Sequence, residues 1–244
     1  MTSDYVELHA HSAYSFLDGA ALPATLVERA AELEMNALAL TDHNGVYGAV
    51  PFVTAARAHG IQAILGAELT LADGHHLTLL VADQDGWRNL CTLISHAQAQ
   101  APKGRAALAW DTLEQHTDGL IALSGCRHGP VAAALRRWDR TGAYRAAKWL
   151  RDRFGAERCW IELQHHRHFG ESTLLRDLVD LARHLRLGYV ATNNVHYARR
   201  AGSSLYDLLT AIRRRTPLEI SATRRDHNSE YYLKRGGQLL PLFR

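Results

Sequence analysis

Seven short apolar runs punctuate the chain, at residues 5–9, 37–41, 61–65, 77–82, 119–123, 159–163 and 188–192. Several are nearly continuous in Val, Ile, Leu and Ala, the pattern of strands buried on both faces. The stretches between them carry helical spacing instead. Leu22, Leu26, Ala30 and Leu33 recur at intervals of four, four and three, with Pro23 near the helix start. Pro51 opens a second helix that Gly60 ends. A third, over 131–154, sets Ala143, Ala147, Leu150 and Phe154 on one face, and a fourth runs over 171–187 to Gly188. Residues 98–108 read as a loop. Strand–helix alternation of this kind predicts a parallel α/β sheet, open or closed.

Polar residues mark the ends of these runs. The first ends in His9 and His11, the second in Asp42-His43, and the third is followed by Glu68. The fifth ends in Ser124-Gly125-Cys126, the sixth in Gln164-His165-His166, and the seventh in Asn193-Asn194-Val195-His196. In parallel α/β folds, function collects at the carboxyl ends of the strands. A doubly wound nucleotide fold needs a Gly-rich turn after the first strand. Here that turn reads His-Ala-His-Ser-Ala-Tyr-Ser, so a closed barrel is the better expectation.

At 244 residues, 47% of them hydrophobic, the chain has the size and core of one α/β barrel, a single domain over 1–244. No apolar run is long enough to span a membrane, and the start lacks a signal-peptide pattern. The three cysteines, Cys91, Cys126 and Cys159, are far apart and odd in number, so the expectation is a cytoplasmic protein without a disulfide framework. The net charge of +3 is uneven: residues 199–244 hold ten Lys/Arg against four Asp/Glu. This basic segment includes Arg199-Arg200, Arg213-Arg214-Arg215, Arg224-Arg225 and Lys234-Arg235. It fits a polyanion partner or a solvated face equally well.

Fifteen histidines favour metal or proton chemistry. Alternate residues of a strand share a face, so His9 and His11 suit one metal. Imidazoles with carboxylates fit Zn²⁺, Mn²⁺ or Fe²⁺ better than Mg²⁺. Singly, each histidine is as well explained by the core or the surface; His9, His11, His43, Glu68 and His196 together point to a metal site. Cys126 reads as a small buried hydrophobe, raised only by its place after a strand. His96 sits on a helical stretch where exposure is the default. His165, His166 and His168 read as a solvent cluster, and His59, His75, His76, His116 and His184 as loop or surface residues. Trp138, Trp149 and Tyr144 fit helix packing better than base stacking.

Residues 9–19 (His-Ala-His-Ser-Ala-Tyr-Ser-Phe-Leu-Asp-Gly), Leu-Thr-Asp-His at 40–43 and Gly-Ala-Glu at 66–68 resemble the first motifs of the PHP (polymerase and histidinol phosphatase) domain. The variant is that of the bacterial DNA polymerase III α family, replicative or error-prone. The resemblance continues through Asn89-Leu90, Ser95-His96, Ser124-Gly125-Cys126, Glu162-Leu163-Gln164, Ala191-Thr192-Asn193, Val195-His196-Tyr197 and Tyr231-Tyr232-Leu233-Lys234. It implies a distorted seven-stranded TIM-like β/α barrel with up to three divalent ions, Zn, Mn or Fe. The ligands it implies are His9, His11, Asp18, His43, Glu68, His96, Cys126 and His196. A ninth, normally aspartate, is Asn194 here. Asn offers a neutral oxygen, so the metal sharing it, expected with His9, His11 and Glu68, binds more weakly. Asp42 is expected to orient His43 rather than to ligate.

The resemblance implies phosphoester hydrolysis with no catalytic group beyond the metal ligands. The leading expectation is a 3′–5′ proofreading exonuclease on single-stranded or mismatched DNA ends, with Arg213, Arg214 and Arg215 contacting the strand. A weakened domain that supports a polymerase structurally, in contact with its polymerase domains, is the second. A stand-alone small-molecule phosphatase of the histidinol phosphate type is the third. The chain reads either as a piece of a longer polymerase or as a free-standing protein.

Overall fold

The computed structural model describes residues 5–99, 101–102, 104–218 and 228–243. The chain groups into two compact units. One comprises 1–42, 47–64 and 193–244, the other 43–46 and 65–192. Six strands hydrogen-bond in chain order: β1 (Ala37–Leu40), β2 (Gln62–Thr70), β3 (His76–Val81), β4 (Leu120–Leu123), β5 (Cys159–Gln164) and β6 (Gly188–Thr192). Strand β2 begins in the first unit and continues in the second. Each strand coincides with one of the predicted apolar runs. The α/β class therefore holds.

Among the described residues the count is six strands rather than seven. The first run, 5–9, does not form a ladder. It is held in the first unit by parallel bridges, Glu7 to Leu38 and Ala10 to Val195. The cause is local. The Glu7 carboxylate accepts the His9 backbone N–H at 3.0 Å, and the Thr41 hydroxyl accepts that of Ala10 at 3.0 Å. Side chains thus take donors that a regular ladder would use.

The sheet is also not wholly parallel. β3 runs antiparallel to both β2 and β4, while β4–β5 and β5–β6 are parallel. Only residues 71–75 separate β2 from β3. That is too short for a crossover helix, so the chain must reverse. The third apolar run extends further than predicted, and Glu68 lies within β2 rather than beyond it.

In the first unit, α1 (Pro23–Glu32) buries Leu26, Val27 and Ala30, and α2 (Ala49–Ala58) buries Phe52 and Ala56. β1 is buried at every position. Helix α8 (Ser203–Arg214) and the segment 230–233 enclose a cluster of Tyr197, Tyr206 and Tyr231. In the second unit lie α3 (Gln84–Ala99), α4 (Trp110–Glu114), α5 (Pro130–Arg136), α6 (Arg140–Phe154) and α7 (Glu171–Leu185). The helix predicted over 131–154 is two helices. Trp138 adopts a left-handed φ of 62°, and the Asp139 carboxylate accepts the Gly142 N–H at 2.7 Å to start α6. The predicted face of Ala143, Ala147, Leu150 and Phe154 is buried. Of the basic clusters, Arg224 and Arg225 lie outside the described residues.

Candidate metal centre

In the second unit, the β2–β3 hairpin builds a donor group. Glu68 pairs across the ladder with Thr78, and Thr70 pairs with His76. His76 is therefore the diagonal neighbour of Glu68 on one face of the hairpin. His43 arrives from a neighbouring segment bridged to Glu68. The next residue fixes it. Asn44, at φ 51°, donates its N–H to the Glu68 carbonyl at 2.9 Å and exchanges side-chain bonds with Thr70 at 3.0 and 2.8 Å. His43 Nε2 lies 3.4 Å from Glu68 Oε2, and His76 Nδ1 lies 3.5 Å from Glu68 Oε1. One donor atom from each of His43, Glu68 and His76 lies within 4.8 Å of the other two. Cys126 Sγ stands 3.8 Å from His76 Nδ1, after a turn in which Gly125 has φ 85°. Burial first, then the Glu68 carboxylate, holds the Cys126 thiol well above its ordinary value. Without a cation it is a neutral thiol; a cation beside it reverses that preference.

The first unit holds a second set. His9 and His11 are fully buried, with their Nε2 atoms 3.1 Å apart. The His11 ring stacks on His196 at 4.8 Å. His196 Nδ1 bonds the Asp18 carbonyl oxygen at 2.9 Å, and the Asp18 carboxylate is ion-paired with Arg213. The loop carrying Asp18 folds back tightly: a Cβ on Gly19 would stand 1.8 Å from the Ser12 carbonyl oxygen. Asp42 anchors this loop, accepting the Ser12 N–H at 2.6 Å and the Ser12 and Ser15 hydroxyls at 2.8 and 2.7 Å. Ser15 Oγ in turn lies 3.2 Å from His11 Nδ1. Asp42 thus orients His11 through Ser15, where the sequence reading attached it to His43. Burial raises its pKa above the usual carboxylate value.

Asn194 has φ 43°, and its buried Oδ1 has no hydrogen-bond partner among the described residues. An unpaired buried acceptor costs on the order of 1–3 kcal/mol. A cation is the ligand that a lone carbonyl oxygen, imidazoles and carboxylates have in common.

His96 is exposed on α3, as its helical stretch predicts, with its ring 6.1 Å from His116; the ligand role the resemblance implies for it is a separate expectation. His76, read as a loop residue, joins the donor group. The signal for it was the hairpin: a strand beginning one residue earlier, at 76, sets this side chain diagonal to Glu68. Arg214 and Arg215 are exposed at the end of α8, whereas Arg213 is engaged with Asp18. No helix among the described residues is long and apolar enough to cross a membrane.

The chain is 40% identical over 260 residues to an error-prone DNA polymerase of Symbiobacterium thermophilum, covering 98% of the chain and 24% of that protein. It is 34% identical over 253 residues to a DNA polymerase III subunit alpha of Treponema pallidum, covering 98% and 22%. It therefore spans about a quarter of the length of these relatives. Among solved structures, a candidate metal-dependent phosphoesterase from Bifidobacterium adolescentis superposes with a TM-score of 0.50 at 16% identity, over 78% of this chain and 87% of that one. That match supports the fold. The model of the PHP domain matches residues 7–166, and the chain belongs to the PHP-domain family.

Proposed function

We propose that this chain is a metal-dependent phosphoesterase that removes nucleotides from the 3′ ends of DNA strands, as part of a DNA polymerase III α-like protein. The observation that carries the reading is the convergence of His43, Glu68 and His76 donor atoms within 4.8 Å. The relatives named as DNA polymerases make DNA the natural substrate. The donors suit the cations: imidazole with carboxylate selects Zn, Mn or Fe over Mg. Where bound, such ions supply Lewis acidity, lowering the pKa of water and neutralising phosphate oxygens.

The protein's own residues do the holding and the orienting. Glu68 has two carboxylate oxygens, one toward His43 and one toward His76. It can accept two cations and offset their repulsion. His9, His11 and His196 are the buried imidazoles of the first unit among the described residues, with Ser15 and Asp42 fixing the His11 ring. Cys126 is no attacking group in this reading: it is buried beside His76, and its sulfur serves as a ligand.

A second reading, a weakened domain that supports a polymerase, is favoured by two features. Asn194 replaces a charged ligand by a neutral one, and Arg213 holds the Asp18 carboxylate. One assay separates the two. A 3′-labelled single strand and a 3′-mismatched primer are incubated with the chain in Mn²⁺. Release of mononucleotides that His11→Ala abolishes is the expected result. Bound metal without nucleotide release favours the supporting role. Phosphate release from histidinol phosphate alone moves the substrate to small molecules.

A further inference from the structure

Sequence position groups Arg213 with Arg214 and Arg215 as one basic cluster, but the fold gives it a separate place. On α8, Arg213 lies seven residues after Tyr206 and three after Thr210, so the three share a face of the helix. That face points inward. Tyr206 and Thr210 are buried, and the Tyr206 ring stands 5.0 Å from the ring of His196. The end of the helix is fixed. Arg215 takes a left-handed φ of 51°, and its N–H and that of Thr216 close on the carbonyls of Ile212 and Ala211 at 3.0 Å. The last turn therefore delivers the Arg213 guanidinium to the Asp18 carboxylate. A cation at a helix C-terminus is also favoured by the helix dipole.

Asp18 is held independently of this partner. Its N–H donates to the Ser15 carbonyl at 2.8 Å, and its own carbonyl oxygen accepts from His196 Nδ1 at 2.9 Å. The next two residues, Gly19 and Ala20, donate to the Ser15 and His196 carbonyls at 2.9 and 2.7 Å. The loop thus places the carboxylate, with one oxygen 3.8 Å from His196 Nδ1 and the other on Arg213. The Asp18 side chain is 9% exposed and that of Arg213 37%. The acid is locked in, whereas the guanidinium reaches solvent. A buried carboxylate beside the stacked imidazoles of His11 and His196 is a donor that a divalent cation draws on. A positive charge in contact with that donor satisfies its charge and repels a second cation.

We infer that Arg213 is a built-in counter-ion that competes with a divalent cation for Asp18 and so sets the metal affinity of the first unit. The loop bonds position Asp18 without it. Arg213 therefore contributes charge rather than orientation, and its removal tightens metal binding. When a cation takes the carboxylate, the guanidinium turns to solvent. The inference rests on the metal-binding part of the phosphoesterase reading.

The test is calorimetric titration of the full chain with Mn²⁺, which reads affinity rather than hydrolysis. Arg213→Ala is expected to bind Mn²⁺ about 10- to 100-fold more tightly than the wild type, the scale of single metal-site interactions. Arg213→Gln, nearer in size, reads the same quantity should circular dichroism show that the alanine variant loses its fold. Parallel titrations in a His76→Ala background keep the donor group of the second unit from masking the change. In an Asp18→Asn background the gain is expected to vanish, because the coupling runs through that carboxylate. Equal or weaker Mn²⁺ binding by the folded Arg213 variants overturns the inference, as does a gain of the same size in the Asp18→Asn background. Either result, with Mn²⁺ still bound by the wild type, leaves the phosphoesterase reading standing. Mn²⁺ uptake by none of the forms refutes both.

Discussion

Asn194 and His76 carry the reading at the scale of single residues. Asn194 presents a buried oxygen with no hydrogen-bond partner among the described residues, at the position where the resemblance implies a carboxylate. Asn194→Asp is expected to raise Mn²⁺ affinity and hydrolysis by about 10–100-fold, the scale of metal-site interactions. Equal values in both forms would mean that position 194 does not ligate. His76→Ala is expected to weaken Mn²⁺ binding by about the same factor, and His96→Ala to leave it unchanged; calorimetric titration reads both. These positions also show what a sequence conveys about ligands. His9 and His11 share a strand-like segment, so their spacing alone aligned them. His76 depends on a cross-strand pairing, Thr70 with His76, that no linear pattern states.

At the scale of elements, the six apolar runs that became strands were legible because buried strands write themselves as short apolar blocks. Direction was not. The reversal at β3 is set by the five-residue span 71–75, whose shortness outweighs the alternation of the rest. The break at Trp138 was equally hidden. The helical period continues through it, and the Asp139 cap that restarts α6 is a single side-chain bond. The loop 9–19 is the element most closely tied to the site. Its return is possible because Gly19 has no Cβ. Gly19→Ala would place that atom 1.8 Å from the Ser12 oxygen. Overpacking of this kind costs about 1–3 kcal/mol. Thermal unfolding is expected at a lower midpoint, with metal affinity reduced alongside it. An unchanged midpoint would show that the loop has room to relax.

At the scale of the whole molecule, the C-terminal segment is more than a basic tail. Lys234 is buried in the first unit, donating to Asn193 Oδ1 at 3.0 Å and lying over the Tyr232 ring at 4.6 Å. Burial lowers its pKa from 10.5 to about 8. Below pH 8, folded and unfolded chains are both protonated here, and the folded chain bears the desolvation cost. Between pH 8 and 10.5 the unfolded chain alone holds the proton, so this group makes stability rise with pH. The contribution is at most about 3 kcal/mol. Denaturant unfolding across that window is expected to show the rise in the wild type and to lose it in Lys234→Met. A flat difference between the two would refute the assignment.

The charge asymmetry visible in the sequence thus divides in the structure: Lys234 and Arg213 are internal ties, while Arg214 and Arg215 face solvent. The family relationship places the chain beside DNA polymerases of about four times its length. What the chain itself contributes turns on whether it binds metal. The most direct measurement is metal content by mass spectrometry, as purified and after EDTA dialysis followed by Mn²⁺ or Zn²⁺, on the wild type and on the His11→Ala/His76→Ala double variant. Stoichiometric Zn, Mn or Fe in the wild type, recovered on re-addition and lost in the variant, is the predicted result. A folded wild-type chain that carries no such metal and takes up none would contradict the account.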